Sequence, residues 1–265
     1  MRLKDKVVLV TASTRGIGLA IVEACAKEGA IVYMGARNME RAKERADEFN
    51  AQGYQVRTVY NDASVLESYK QMIESVIKQS GHIDVLVNNF GTSDPKTDLD
   101  IEHTEYHHFI DTIQMNLASV FLPVQAVIPY MRENKGGSII NISSVGGMIP
   151  DISRIGYAIS KDAVNYLTKN IAVQTARDQI RCNAVMPGMT ATEAVTNNMS
   201  EGFTQFFLKH SPIPRMAKPE EIAHAVIYFA SDESKFTTGQ ILAVSGGFGL
   251  ATPLYGDMID LSNKH

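Results

Sequence analysis

The stretch Val7-Val8-Leu9-Val10-Thr11-Ala12-Ser13-Thr14-Arg15-Gly16-Ile17-Gly18 decides the fold of this chain. Four aliphatic residues lead into a short polar turn with two glycines, and a helical apolar pattern follows over 18–28. A strand without polar alternation is one buried on both faces, as in a parallel sheet. Glycines let the turn's backbone come close to a phosphate, and the first turn of the helix offers unpaired N–H groups at the positive end of its dipole. The stretch therefore predicts strand, phosphate-binding turn and helix. Thr11, Ser13, Thr14, Arg15, Gly16, Ile17 and Gly18 are its candidate cofactor contacts. The spacing is not the G-x-G-x-x-G form.

The same alternation continues outward. Short apolar runs at 7–10, 31–34, 56–60, 85–87, 138–142, 181–185 and 240–244 read as strands. Helical patterns lie between them at 18–28, 38–50, 66–79, 102–132, 157–176 and 219–230. Strand, helix, strand repeated in this way predicts an α/β fold: one doubly wound parallel sheet of seven strands with helices on both faces, a Rossmann fold, in a single domain over 1–265. Two segments break the alternation, 189–214 and 248–265. Ligands of open α/β sheets bind beyond the carboxyl ends of strands, so we expect 189–214 to form a substrate loop and the tail to lie near the pocket.

Bulk composition narrows the function classes. The 265 residues are 45% hydrophobic and 20% charged, with a net charge of −4. Mild acidity argues against nucleic acid as partner. No uninterrupted apolar run reaches the roughly 18–20 residues of a membrane span. The opening Met1-Arg2-Leu3-Lys4 has no leader-like apolar core, so a cytoplasmic setting is expected. Cys25 and Cys182 fall in a helical and a strand pattern and are expected to be buried free thiols. His103, His107 and His108 share a helical stretch with acids; we read them as a surface, with no metal site.

Two constellations carry chemistry. The second strand ends Gly35-Ala36-Arg37-Asn38, with Ala36 where an NAD site usually carries an acid for the ribose 2′-hydroxyl. Arg37, with Arg15 from the turn, could instead grip a 2′-phosphate, which points to NADP(H). Tyr157 and Lys161 lie four apart on one helix face, and of ten tyrosines only Tyr157 has Lys at that spacing. Ser143 and Ser144 follow a strand end and can meet the Tyr157 hydroxyl across a pocket. Reducing a ketone by hydride leaves an alkoxide that needs a proton. A phenol beside an ammonium can give that proton, because the ammonium stabilises the phenolate left behind. A serine hydroxyl can hold the substrate oxygen in line.

Taken together, these residues resemble the short-chain dehydrogenase/reductase family. The turn 11–18 is similar to its T-G-x-x-x-G-x-G motif, Asn88-Asn89-Phe90-Gly91 to N-N-A-G, Tyr157 and Lys161 to Y-x-x-x-K, and Pro187-Gly188 to its P-G. The resemblance covers essentially the whole chain. It implies Tyr157 as acid/base, Lys161 on the nicotinamide ribose, Ser144 orienting substrate, and Asn116 keeping a water linked to Lys161. It further implies cofactor contacts from Asn38, Asp62, Ala63, Asn89, Gly91, Pro187, Gly188, Thr190 and Thr192, with Val145 and Met189 beside the substrate. A homotetramer built on helices near 117–132 and 157–176 is also implied. Ala12 departs from the family's first turn glycine, and Phe90 from its alanine.

A narrower resemblance is to the bacterial NADP-linked 7α-hydroxysteroid dehydrogenase branch, of clostridial type. Its carriers are Asn88-Asn89-Phe90-Gly91-Thr92, the stretch 137–147, Pro150-Asp151-Ile152-Ser153-Arg154-Ile155-Gly156-Tyr157, and Ser245-Gly246-Gly247-Phe248. It implies a bile acid as the small-molecule substrate, oxidised at a 7α-hydroxyl or reduced at a 7-oxo group. Met148, Ile149, Met189, Phe206, Phe207, Leu250, Leu254 and Met258 could line an apolar slot for it. Where the clostridial branch often has Ile, this chain has Thr190. The alternatives are a 3-oxoacyl carrier-protein reductase, a hydroxysteroid dehydrogenase of other regiospecificity, and an inactive NADP-binding regulator.

Overall fold

The computed structural model describes residues 1–262. Its seven strands are β1 (Val7–Thr11), β2 (Ile31–Ala36), β3 (Gln55–Tyr60), β4 (Val85–Asn88), β5 (Gly137–Ile142), β6 (Ile180–Pro187) and β7 (Ile241–Val244). All pair in parallel, in the order β3-β2-β1-β4-β5-β6-β7. The order turns outward between β1 and β4, so a crevice opens at the carboxyl ends of those two strands.

The apolar runs are explained by two cores. In β1, Val8 and Val10 face one core with Ile21 and Val22 of α1 (Gly16–Lys27) and Ile222 and Val226 of α8 (Pro219–Ala230). Val7 and Leu9 face the other, with Met72 and Ile73 of α3 (Glu67–Ser80), Val124 and Val127 of α4 (Tyr106–Glu133), and Val164 of α5 (Ile155–Thr175). Burying each such side chain is worth about 1.5–3 kcal/mol, so both faces of a central strand select aliphatic residues. The second helix is α2 (Met39–Ala51). Cys25 and Cys182 are free and buried, and burial pushes the Cys25 thiol up to about 12.

Two expectations differ in the structure, and one helix stands out by its length. The helix expected from 102 begins at Tyr106, because Asp100 takes the N–H groups of Glu102 and His103 in a separate turn. By length and composition α4, at 28 residues, could cross a membrane, although no apolar run in the sequence suggested one. It packs instead against α3 and α5 and buries polar Asn116 and Ser119. The segment 189–214 is not irregular: it folds into α6 (Glu193–Asn198) and α7 (Glu201–Lys209), and the tail carries α9 (Tyr255–Ser262).

Candidate active site

The turn after β1 is built as a cradle. Arg15 stands at the N-cap of α1 but its side chain does not cap it, and the N–H groups of Ile17 and Gly18 have no acceptor among the described residues. These donors and the helix dipole suit a pyrophosphate. Gly18 must be glycine: a Cβ there would lie 2.5 Å from Asn89 Nδ2 and 2.6 Å from the Ala12 carbonyl oxygen. The Asn89 amide passes through that gap and donates to the carbonyls of Thr11 and Ala12, both at 3.1 Å. Ala12, the departure from the glycine motif, takes a left-handed φ of 50°, which a β-carbon disfavours. Over the turn lies Thr192, whose Cγ2 is 3.3 Å from the position of a Cβ on Gly16.

Thr11 and Ser13 do not offer their hydroxyls to this cradle. Both residues are fully buried. Thr11 Oγ1 accepts the Asn89 N–H at 2.9 Å, and Ser13 Oγ is directed at the Gly35 carbonyl. They brace the turn from behind, so only their backbone can face a cofactor. Thr14, Arg15 and Ile17 stay at least partly exposed on the open side.

At the end of β2, Ala36 is buried and Arg37 exposed, with no hydrogen-bonded or ion-paired partner among the described residues. Asn38 Oδ1 caps α2 by accepting the Arg41 N–H at 2.9 Å, which leaves its amide N–H groups for a ligand. Asp62 follows β3. The Ser64 hydroxyl and N–H hold its carboxyl below the ordinary carboxylate range, and Arg37 adds to the effect. Ala63 lies half-buried beside it. This end of the crevice therefore pairs an open guanidinium with an ionised carboxylate.

The reaction residues converge at the ends of β4 and β5. Ser144 opens a 3-10 turn, and its Oγ accepts the Gly146 N–H at 3.1 Å, which leaves the hydroxyl proton free to donate. Lys161 is 3% exposed and its Nζ donates to the Ile142 carbonyl at 3.0 Å, with two further donors open. Burial pushes its ammonium down from the ordinary value, and Tyr157 opposes that shift. Lys161 Nζ lies 5.6 Å from the Tyr157 ring centre, and the Arg154 guanidinium lies 5.2 Å from it. Gly91 makes room for the ammonium, because a Cβ there would meet Nζ at 2.7 Å.

Asn116 is buried, and its amide is already committed. It accepts the Thr92 N–H at 2.8 Å and donates to the Thr92 carbonyl and to Ser160 Oγ, both at 2.9 Å. Ser160 Oγ in turn donates to the Tyr157 carbonyl at 2.7 Å. Sequence reading missed this bracing, along with Asp98, which receives the Gly156 and Tyr157 N–H groups at the start of α5. Asp98 sits in a polar stretch that reads as a solvated loop, so no local signal marked it.

At the end of β6, Pro187 is buried, and the next residue, Gly188, abuts Ser245, whose Cα would be 2.8 Å from a Cβ at that position. Thr190 is 3% exposed and its hydroxyl donates to the Gly188 carbonyl at 3.0 Å, so it shapes the chain more than it faces a ligand. Val145 is likewise buried, at 8% exposure. Met189 lines a cavity of about 120 Å³ with Phe207, Ile213, Ala217 and Val244. The tail closes over this region: Phe248 stacks on Phe207 at 4.4 Å, and Gly249 runs against Ile149 and Met148. Lys209 of α7 holds Asp257 and Asp260 of α9 at 2.9 and 2.7 Å. Met148, Phe206, Leu250, Leu254 and Met258 remain exposed around this rim. Elsewhere, Glu105, His107 and His108 bring ligand atoms within 4.8 Å of one another at the start of α4, a grouping that the sequence did not suggest.

Comparison with known proteins agrees with this geometry. The family described as enoyl-(acyl carrier protein) reductase, a short-chain dehydrogenase/reductase group, matches residues 11–249. The 7α-hydroxysteroid dehydrogenase of Clostridium sardiniense is 48% identical over 256 residues, covering 97% of this chain and 98% of the relative. That of Paraclostridium sordellii is 49% identical over 259 residues, covering 97% of each. A solved 7α-hydroxysteroid dehydrogenase, complexed with NADH and 7-oxo glycochenodeoxycholic acid, superposes with a TM-score of 0.88 at 31% identity, covering 93% of this chain and 95% of that one. The chain belongs to the short-chain dehydrogenase/reductase family and is an oxidoreductase of that family.

Proposed function

We propose that the chain interconverts the 7α-hydroxyl and 7-oxo groups of bile acids with NADP(H). The observation that carries the substrate is the exposure of Met148, which ends the turn that Ser144 opens, together with Phe206, Leu250, Leu254 and Met258 on α7 and the tail that runs against it. Solvent-exposed apolar side chains grouped at a cleft mark a binding surface for a large, rigid, mostly apolar molecule. The names of the two clostridial relatives support the position of attack. The unpartnered Arg37 after the buried Ala36 supports NADP(H) over NAD(H).

The turn after β1, Arg37, Asn89 and Lys161 would hold the NADP(H), which would supply or take up the hydride at the carbinol carbon. The chain's own residues handle the oxygen. Ser144 donates its free hydroxyl proton to the substrate oxygen and fixes its direction. In reduction, the Tyr157 hydroxyl gives its proton to that oxygen as the carbonyl becomes an alcohol. In oxidation, it takes the proton back. Lys161 binds the ribose with its open donors and stabilises the phenolate. Asn116 supports the assembly through Thr92 and Ser160, and we keep it as the partner of a water relay to Lys161. Thr192, Asn89 and Gly188 hold the cofactor groove to shape.

The same reading gives a homotetramer in the cytoplasm. An apolar groove between Leu117, Phe121 and Leu122 of α4 and Tyr166 and Leu167 of α5 is the proposed subunit contact, and it accounts for the excess apolar character of α4. Product analysis tests the proposal. Purified enzyme with NADPH and a 3α-hydroxy-7-oxo bile acid is expected to give the 7α-alcohol alone. A 7β product, or reduction only of 3-oxo or 12-oxo substrates, would overturn the regiochemistry.

A further inference from the structure

Helix α5 carries Tyr157 in its first turn, yet it has no cap of its own. Arg154, at the N-cap, sits in the left-handed region with φ 57° and ψ 47°, and its side chain makes no capping bond. The orphan N–H groups of a helix start must find acceptors elsewhere when water is excluded. Here they find them some 56–59 residues upstream. The Ile155 N–H donates to the Leu99 carbonyl at 3.1 Å. The Gly156 and Tyr157 N–H groups donate to the two carboxylate oxygens of Asp98, at 2.8 and 3.0 Å. Asp98 is 1% exposed, and its third donor is the Ser93 hydroxyl at 2.9 Å.

The fit leaves no slack. A Cβ on Gly156 would come within 3.2 Å of both Asp98 Oδ1 and Thr112 Cβ. Through Ser93 the carboxylate is joined to the loop that follows Asn89 and Gly91, and Asn116 clamps the same loop at Thr92. A buried anion at a helix N-terminus is favoured by the dipole as well as by the N–H bonds.

We propose that Asp98 is a positioning residue for Tyr157: it caps α5 from the cofactor loop, so that the proton donor and that loop hold one fixed relation. The proposal rests on Tyr157 being the proton donor. It assigns Asp98 no contact with substrate or cofactor. Its effect therefore falls on turnover, because misplacing a reacting group by about 1 Å can cost roughly a hundredfold.

The test compares kcat with the NADPH dissociation constant in four variants of the full chain. Asp98→Ala is expected to lower kcat by about 30–100-fold while nucleotide affinity stays within about twofold. Asp98→Asn keeps an acceptor for the Gly156 N–H and turns its amide toward that of Tyr157, so it should restore part of the loss. Asp94→Ala removes the acceptor of the Lys96 N–H in the same loop and leaves every acceptor of the cap in place, and should keep kcat within about twofold. Folded Asp98 variants with native kcat would overturn the proposal, as would an equal loss in Asp94→Ala. If Asp98→Ala fails to fold, Asp98→Asn decides: native kcat refutes the cap, and reduced kcat with native affinity supports it. Tyr157→Phe separates the two claims. Native turnover there removes the proton-donor role and the positioning role together. An inactive Tyr157→Phe beside fully active Asp98 variants removes only the latter.

Discussion

The two walls of the crevice are built by opposite means. The cofactor wall, made by β1, β2 and the loop after β4, is held by close approach at glycines and by hydrogen bonds between its turns. Asn89 threads past Gly18, Lys161 sits against Gly91, and Thr11 and Ser13 point inward. The substrate wall, made by 189–214 and the tail, is assembled from short helices, one stacked aromatic pair and exposed aliphatic tips. In the proposed function the first wall holds the pyrophosphate and nicotinamide of the cofactor. The second presents exposed apolar side chains, which the same proposal assigns to the steroid. Substitutions on the first should change rate or cofactor choice, and those on the second should change substrate affinity.

The largest expected effect tests the point where the walls meet. Tyr157→Phe keeps the ring and removes the proton. General acid–base groups contribute roughly 10²–10⁴-fold, so kcat should fall by about a thousandfold with NADPH binding intact by fluorescence titration. Next is the cofactor wall alone. Arg37→Ala should weaken NADPH by about 10–100-fold, since a hydrogen bond to a charged group is worth about 1.5–3 kcal/mol, and leave NADH nearly unchanged. Equal weakening of both would show that the guanidinium does not read a 2′-phosphate. On the substrate wall, Phe207→Ala breaks the stack on Phe248, whose loss costs about 1 kcal/mol beyond buried area. It should raise KM for the steroid by about fivefold to tenfold with kcat little altered; a change confined to kcat would erase the distinction between the walls. The smallest effect is one of strain. Ala12→Gly relieves a left-handed alanine at a cost in unfolded-chain entropy, for a net gain of about 0.5 kcal/mol and a slightly higher Tm.

The difference between the walls also decided what the sequence made visible. Central strands such as β1 and β4, buried on both faces, leave apolar runs that could be read in advance, whereas β3, with Gln55, Arg57 and Tyr60 exposed, and β7 were legible through their place in the strand–helix alternation. Glycine positions and the four-residue spacing of Tyr157 and Lys161 are likewise written in residue type, and the structure sets them around one crevice. Segment 189–214 was legible only as an interruption. Helices of six and nine residues have too few turns to establish a period, and the exposure of Phe206 and Leu254, named as candidates for an apolar slot, follows only from the fold. The left-handed turn at Ala12, the inward hydroxyls of Thr11 and Ser13, and the remote cap at Asp98 depend on contacts between distant segments. No local pattern encodes such contacts. Asn116 shows the same limit, because its burial on α4 is visible as a lone polar residue but its commitment to Thr92 and Ser160 is not.

The most direct test of the account is an absorbance assay at the nicotinamide band with NADP⁺ and three bile acids. Cholic and chenodeoxycholic acids carry the 7α-hydroxyl, and deoxycholic acid lacks it. The account predicts turnover of the first two, none of the third, and a clear preference for NADP⁺ over NAD⁺. Turnover of deoxycholic acid would move the reaction to another carbon. Turnover of none, with activity on a 3-oxoacyl carrier-protein substrate instead, would contradict the reading of the apolar wall.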